Sequence, residues 1–427
     1  MSDRAGTMTT TTTKASIDAI WRIEAARIVA VVARVVGDVG LAEDLASAAL
    51  VTALEQWPRT GVPDNPGAWL TTVAKHKAID ELRRRKLHHD RQASIEVATA
   101  PVALSPDEAA VIDHLDDDVG DDLLRLIFVS CHPLLAVEQR LALTLRLVGG
   151  LTTDEIARAF LVAEPTIAQR IVRAKRILTT ANVRFVVPAA AERMARLSSV
   201  LEVIYLVFNE GYAVSRGDHW LRPELCDEAL RLGRVLARLV TDVAEVHGLV
   251  ALMEIQASRN GARTTSTGEP VLLLEQDRAR WNHVLIRRGL AALATAQSLP
   301  QPGLYTLQAA IAACHARAVT AAATDWSLIV SHYDVLLALT SSPVVALNRA
   351  VAVSMASGPA AALPLVDELL SVPSMRAWHL LPSVRGYLLA KLGRDDAAAV
   401  EFARAAALAN NAREKAFLLA RLAAVGR

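Results

Sequence analysis

Thr166, Gln169, Arg170, Arg173 and Arg176 recur at helical spacing and would share one stripe of a helix. Amide, hydroxyl and guanidinium donors in such a stripe suit base edges and phosphates in a DNA major groove. Ile167, Ile171, Ala174 and Leu178 recur on the opposite side and would pack inward. A second cationic set, Lys75, His76, Lys77 and Arg83 to Lys86, follows Thr72 and makes a strip suited to a phosphate backbone. Arginines in a helical hairpin can be merely solvated, and a basic run can simply complement a helix C-terminal dipole. Four consecutive cations exceed what a cap requires, which favours nucleic acid.

Bond-making chemistry finds no comparable arrangement. Glu210, His247, Glu254, Glu275, Asp277 and His283 show no H-E-x-x-H spacing, P-loop or nucleophile elbow. Acids and amides beside apolar helix faces more often hydrogen-bond neighbouring helices. Cys131, Cys226 and Cys314 lack C-x-x-C spacing, so neither a disulfide framework nor a zinc site is expected. Cys131-His132 and Cys314-His315 read as buried thiols beside incidental histidines. The expectation is a non-enzyme without catalytic residues, metal or cofactor.

The elements that must position the two cationic sets are helices. Leu151 to Leu178 reads as a helix-turn-helix: Thr152 and Glu155 form a capping box, and Pro165 opens the second helix at no hydrogen-bond cost. Upstream, Leu41 to Trp57 has an inner stripe of Ala46, Ala49, Leu50, Ala53, Leu54 and Trp57, with Glu43, Asp44, Ser47 and Glu55 on other faces. A stiff loop, Pro58 to Pro66, separates it from the helix that starts at Gly67 and ends in the basic run. Ala, Leu, Val and Arg richness with few aromatics favours an all-α fold.

The net charge of +1 hides a segregation: residues 138 to 187 carry eight Arg/Lys against four Asp/Glu, whereas residues 93 to 122 carry nine acids and no Lys or Arg. The chain therefore divides into a Thr-rich disordered lead (1–16), a helical domain (17–92), an acidic tether (93–122), a helix-turn-helix domain (123–187) and a helical extension (188–427). The lead has no apolar core, so it is not a signal peptide, and no uncharged apolar run approaches the ~18 residues of a membrane span. The expected compartment is the cytoplasm.

Ala42 to Trp57 and Ala68 to Arg85 resemble region 2 of bacterial extracytoplasmic-function (ECF) sigma factors, and the helix-turn-helix resembles their region 4, in the right order across residues 17–187. The resemblance implies core RNA polymerase and promoter DNA as partners. Leu41 to Trp57, with Glu43, Asp44, Ser47 and Glu55, would dock on the clamp helices of the largest subunit, and region 4 on the flap. The Pro58–Pro66 loop with Thr72, Lys75, His76, Lys77, Arg83 and Arg84 would hold the unpaired −10 element. Thr166, Gln169, Arg170, Arg173 and Arg176 would read the −35 element as duplex. The chain departs from the family in carrying Ser47-Ala48 where a Gln-acid pair usually follows the Asp-Leu of the docking helix.

Residues 188–427 exceed what such a factor needs and read as amphipathic helices, among them 190–210, 224–240, 243–258 and 275–295, with a mobile loop at Arg259 to Pro270. Gly386, Leu392-Gly393, Ala398, Phe402 and Ala405 fall at tetratricopeptide spacing. Phe208-Asn-Glu-Gly-Tyr212, Leu225 to Leu232, Leu274 to Arg278 and Leu347 to Ala350 resemble a branch of ECF sigma factors whose C-terminal extension tunes sigma activity in cis. The extension could take a protein or ligand partner. Two other readings explain less: a one-component helix-turn-helix regulator with a sensing domain leaves Trp69 to Lys86 without a task, and a helical scaffold leaves both basic blocks unexplained. Residues 1–187 are expected to fold without the extension.

Overall fold

Alternating small and branched residues at helical spacing give helices throughout, and the computed structural model contains no β-strand among its described residues, which are 3–93, 119–160, 162–212, 223–265, 271–376, 378–409 and 412–425. The chain divides into two compact units, residues 1–203 and 204–427. None of the described helices is long and apolar enough to cross a membrane.

In the first unit, α1 (Asp3–Val36), α2 (Val39–Thr60) and α3 (Pro66–Ala93) pack on one another, α1 burying Ile28 to Ala33 completely or nearly so. Residues 3–16, expected as a disordered lead, continue α1 towards the N-terminus, since extending a helix from a packed segment is far easier than nucleating one. Gly37 (φ 70°) ends α1, and the Asp38 side chain accepts from Leu41 N at 2.8 Å to start α2. The acidic tether lies outside the described residues up to 118. Its last residues instead begin α4 (Val119–Ser130), where Asp122 is fully buried between Arg34 of α1 (3.3 Å) and Arg125 (2.6 Å). Two cations and a helix N-terminus outweigh the cost of removing that carboxylate from water.

Then follow α5 (Val137–Leu147), α6 (Thr153–Phe160) and α7 (Glu164–Thr180), with α7 packing on α2, α5 and α6. The next helix, α8 (Ala190–Tyr212), carries the boundary between the units at residue 203 rather than before Pro188. Its N-terminal half belongs to the first unit: Ser199 donates to the Cys131 carbonyl at 2.7 Å, Arg140 meets Glu202 at 3.0 Å, and Leu197 and Val200 are buried.

The second unit continues with α9 (Pro223–Leu239), α10 (Ala244–Ala257), α11 (His283–Ser298), α12 (Leu304–Arg317), α13 (Trp326–Thr340), α14 (Pro343–Ser357), α15 (Pro359–Leu369), α16 (Leu380–Lys391), α17 (Asp395–Leu408) and α18 (Ala412–Val425). α12 packs chiefly back on α10, and from α13 onwards each helix packs chiefly on its neighbours in sequence. Gly386 shows how closely α16 and α17 approach: a Cβ there would lie 3.1 Å from the Phe402 ring of α17, tighter than an ordinary contact, so a larger residue would press on the aromatic between the helices.

Two expectations fail here. The helix expected over 275–295 is two short 3₁₀ turns, Leu273–Glu275 and Arg278–Arg280, before α11. Asp277 and Asn282 bond backbone N–H groups just ahead of them, which starts new turns instead of continuing a helix. The Arg259–Pro270 loop is packed where described: Ala262 is buried, and Asn282 N donates to the Ser258 carbonyl at 2.8 Å.

Candidate nucleic-acid interface

The turn between α6 and α7 is held from both ends. Thr152 N donates to Glu155 Oε2 at 2.8 Å while Glu155 N donates to Thr152 Oγ1 at 3.2 Å, the reciprocal capping pair expected from the sequence. Glu155 also takes an ion pair from Arg22 of α1. Ile156 and Ala157 of α6 are buried, as are Ile167, Ile171, Ala174 and Leu178 of α7, which fixes the rotation of α7 about its axis. That rotation leaves Gln169, Arg173 and Arg176 exposed and Thr166 and Arg170 half-buried. Arg170, Arg173 and Arg176 pair with no carboxylate among the described residues, so their donors are available to an incoming anion.

On α3 the buried face is Leu70, Thr71, Ala74, Lys75 and Ala78. Thr72 and His76 are exposed one turn apart, and Lys77 is half-buried. Lys75 is only 5% exposed and so leaves the cationic strip in which the sequence placed it. It sits four residues after Thr71 and three before Ala78, on the side that faces the other helices. Further along, Arg83 approaches Asp80 at 4.0 Å, while Glu81 receives Arg84 and, at 2.9 Å, Arg85. Exposed pairs of this kind are worth only ~0–1 kcal/mol, so a phosphate can displace them. The loop expected over Pro58 to Pro66 is shorter, residues 61–65, because α2 runs on through Pro58 to Thr60 and Pro66 opens α3. At its base Trp57 and Trp69 pack edge to face with centroids 5.3 Å apart.

The acids expected to face the polymerase divide. Asp44 and Glu55 are exposed, and Ser47 is half-buried. Glu43 is buried, because α5 and α7 close over it. Arg146 of α5 meets Glu43 Oε1 at 2.7 Å, and Lys175 of α7 takes Oε2 while reaching Asp44 at 3.3 Å. One turn on, Thr179 donates to Asp38 at 2.9 Å. Burial works against the Glu43 charge, but Lys175 and Arg146 outweigh it and hold the carboxyl below the usual carboxylate range. In this arrangement Glu43 belongs to an internal clasp between α2 and the helix-turn-helix, not to an open docking face.

No sequence pattern marked Arg146, Lys175 or Thr179 as partners of α2. Their partners lie more than a hundred residues away, so no periodicity carries the signal. The thiols behave as the sequence suggested: Cys131, Cys226 and Cys314 are buried, and burial pushes Cys131 up to about 11.

The chain matches Sigma-70 region 2 over residues 21–88, Sigma-70 region 4 over residues 125–178, and a family of unknown function (DUF6596) over residues 196–297. It is 44% identical over 383 residues to the uncharacterized protein R00370 of Rhizobium meliloti, covering 88% of each chain. It is 30% identical over 146 residues to the ECF RNA polymerase sigma factor SigL of Mycobacterium tuberculosis, covering 34% of this chain and 76% of that one. To the probable ECF RNA polymerase sigma factor SigI of the same species it is 27% identical over 180 residues, or 42% of this chain and 59% of that one. No solved structure matches the chain. With an exposed guanidinium stripe on the second helix of a capped helix-turn-helix, and both sigma regions in order, the chain belongs to the ECF-type sigma-70 factors and carries a C-terminal helical extension.

Proposed function

We propose that Thr166, Gln169, Arg170, Arg173 and Arg176 read a −35 element as duplex, and that Thr72, His76, Lys77, Arg83 and Arg84 hold an unpaired −10 strand. Asp44 and Glu55, joined by Glu43 once its clasp opens, dock α2 on the clamp helices of the largest polymerase subunit, while region 4 meets the flap. The extension, with tetratricopeptide-like hairpins near its end, tunes this activity in cis, and the protein works in the cytoplasm. One observation carries the reading. On the single helix α7, Lys175 is spent on Glu43 and Asp44, whereas Arg170, Arg173 and Arg176 pair with no described acid and face outward or lie at the rim. Such a stripe costs charge repulsion without return unless an anion meets it.

The test is run-off transcription with core polymerase, from a promoter selected out of a randomised duplex library by the holoenzyme. Initiation should require both the chain and core. Arg170→Ala and Arg173→Ala should each weaken −35 contact by ~1–3 kcal/mol where the lost contact is bidentate to a base. Unchanged output from both variants would sink the assignment. Tight operator binding without polymerase would point instead to a one-component regulator.

A further inference from the structure

The second unit holds a cavity of about 510 Å³, within the range of small-molecule sites, at the meeting of α8, α10, α12, α13 and α14. Its walls are mostly apolar and aromatic: Tyr205 and Tyr333 are half-buried at it, with Phe208 and Leu336 buried in the wall. None of its lining residues is acidic, yet Arg259 and His315 both line it. Among the described residues Arg259 donates only to neutral oxygens, Tyr212 Oη and Gln256 Oε1, and its guanidinium lies 5.9 Å from the ring centroids of Tyr212 and Trp281.

Two further guanidiniums stand behind this wall. Arg263 stacks 3.6 Å over the Tyr212 ring and donates to the Tyr212 carbonyl, at the end of α8. Arg278 donates to the carbonyls of His315 and Ala318, the latter at 2.6 Å, and so caps the C-terminal end of α12. Those two have a structural task. Arg259 reaches neutral side chains, bridging Tyr212 and Gln256, and no described carboxylate pairs with any of the three. Burial, with Arg259 and Arg278 nearby, pushes His315 down to about 4, so its ring is neutral at physiological pH. Its Nδ1 is buried without a hydrogen-bond partner. A half-buried cation beside an unsatisfied neutral imidazole, in a roomy aromatic cleft with no acid, lacks an anionic partner.

We propose that this cavity binds a small organic anion with a flat apolar body, an aromatic carboxylate, its charge held by Arg259 and its body lying against Tyr205 and Tyr333. The carboxylate accepts from the Arg259 guanidinium, and the rings supply apolar and edge contacts. The site stands on the second unit's own geometry, and its test reads binding rather than transcription, so it can fail without touching the promoter assignment.

The probe is 1-naphthoate, followed by calorimetry on the full chain, with naphthalene-1-carboxamide as the neutral control. Saturable one-to-one binding is expected for the anion, with the amide at least ~10-fold weaker, the scale of one lost charge-assisted hydrogen bond. Arg259→Gln should weaken naphthoate about 10-fold or more while leaving the amide unchanged. Leu304→Trp, at the exposed rim of the cavity, should block both, and Arg287→Gln, on the exposed face of α11, should change neither. Circular dichroism would establish that each variant folds. No saturable binding, equal affinity for anion and amide, or naphthoate binding untouched by Arg259→Gln in a folded chain would each overturn the proposal.

Discussion

Lys175→Ala should loosen the clasp between α2 and the helix-turn-helix, and the structure sets how far. The Glu43 side chain is 11% exposed and that of Lys175 19%. Breaking a fully buried pair costs ~3–5 kcal/mol because the surviving charge is stranded, whereas an exposed pair is worth ~0–1 kcal/mol. Glu43 is not stranded, since Arg146 still meets Oε1 at 2.7 Å, so the loss should lie between these limits, about 1–2 kcal/mol. That is roughly a 5- to 30-fold shift of the closed-to-open ratio.

Energy transfer between dyes at Val51→Cys on α2 and Val172→Cys on α7 would report it. Both sites are more than half exposed, while Cys131, Cys226 and Cys314 are too buried to label readily. Transfer should fall in Lys175→Ala and be retained in Lys175→Arg. The Glu43 carboxyl is held low, so the contribution of its charge is complete above the ordinary value of 4.5 and lost as pH falls through the lower closed-state value. Transfer should therefore be flat through neutral pH and drop only in acid. Identical transfer in Lys175→Ala and the parent, with no loss in acid, would refute the clasp.

Two further outcomes follow from packing. Residues 1–203 should remain folded and monomeric, whereas residues 1–187, lacking Leu197, Ser199, Val200 and Glu202, should be less stable by several kcal/mol, about 1.5–3 for each large apolar side chain lost; equal urea midpoints would contradict this. Gly386→Val should destabilise the second unit by ~1–3 kcal/mol, because the new Cβ meets Phe402 at 3.1 Å and the Ala398 carbonyl at 3.3 Å; an unchanged thermal transition would show that α16 and α17 can separate cheaply.

What could be read from the sequence was local. The capping pair Thr152–Glu155, the buried stripe Ile167, Ile171, Ala174 and Leu178, and the Gly386–Phe402 packing each follow from spacing within one or two helices, and the structure has all three. What was not legible depends on partners far along the chain. Lys75 looked like one more member of a basic run until the packing of α3 turned it inward. Asp122 looked like the end of an acidic tether until Arg34, from α1, supplied a charge to bury it against. Arg259 sat in a segment whose Gly and Ser/Thr content suggested a mobile loop, and only the arrangement of five helices makes it the cation of a cavity.

The clasp and the stripe proposed to read DNA share one helix. In α7 the turn of about 100° per residue sends Lys175 inward to Glu43 while Arg173 and Arg176 stay outside. Closing the clasp therefore covers an acid on α2 without covering the proposed −35 stripe. Opening should change the apparent affinity for core polymerase, because only the fraction with a free α2 face is competent, and leave the weak contact of α7 with duplex DNA nearly unaltered. A device that blocked both surfaces would move both affinities together, so the ratio of the two separates a clasp acting on docking from general occlusion of the factor.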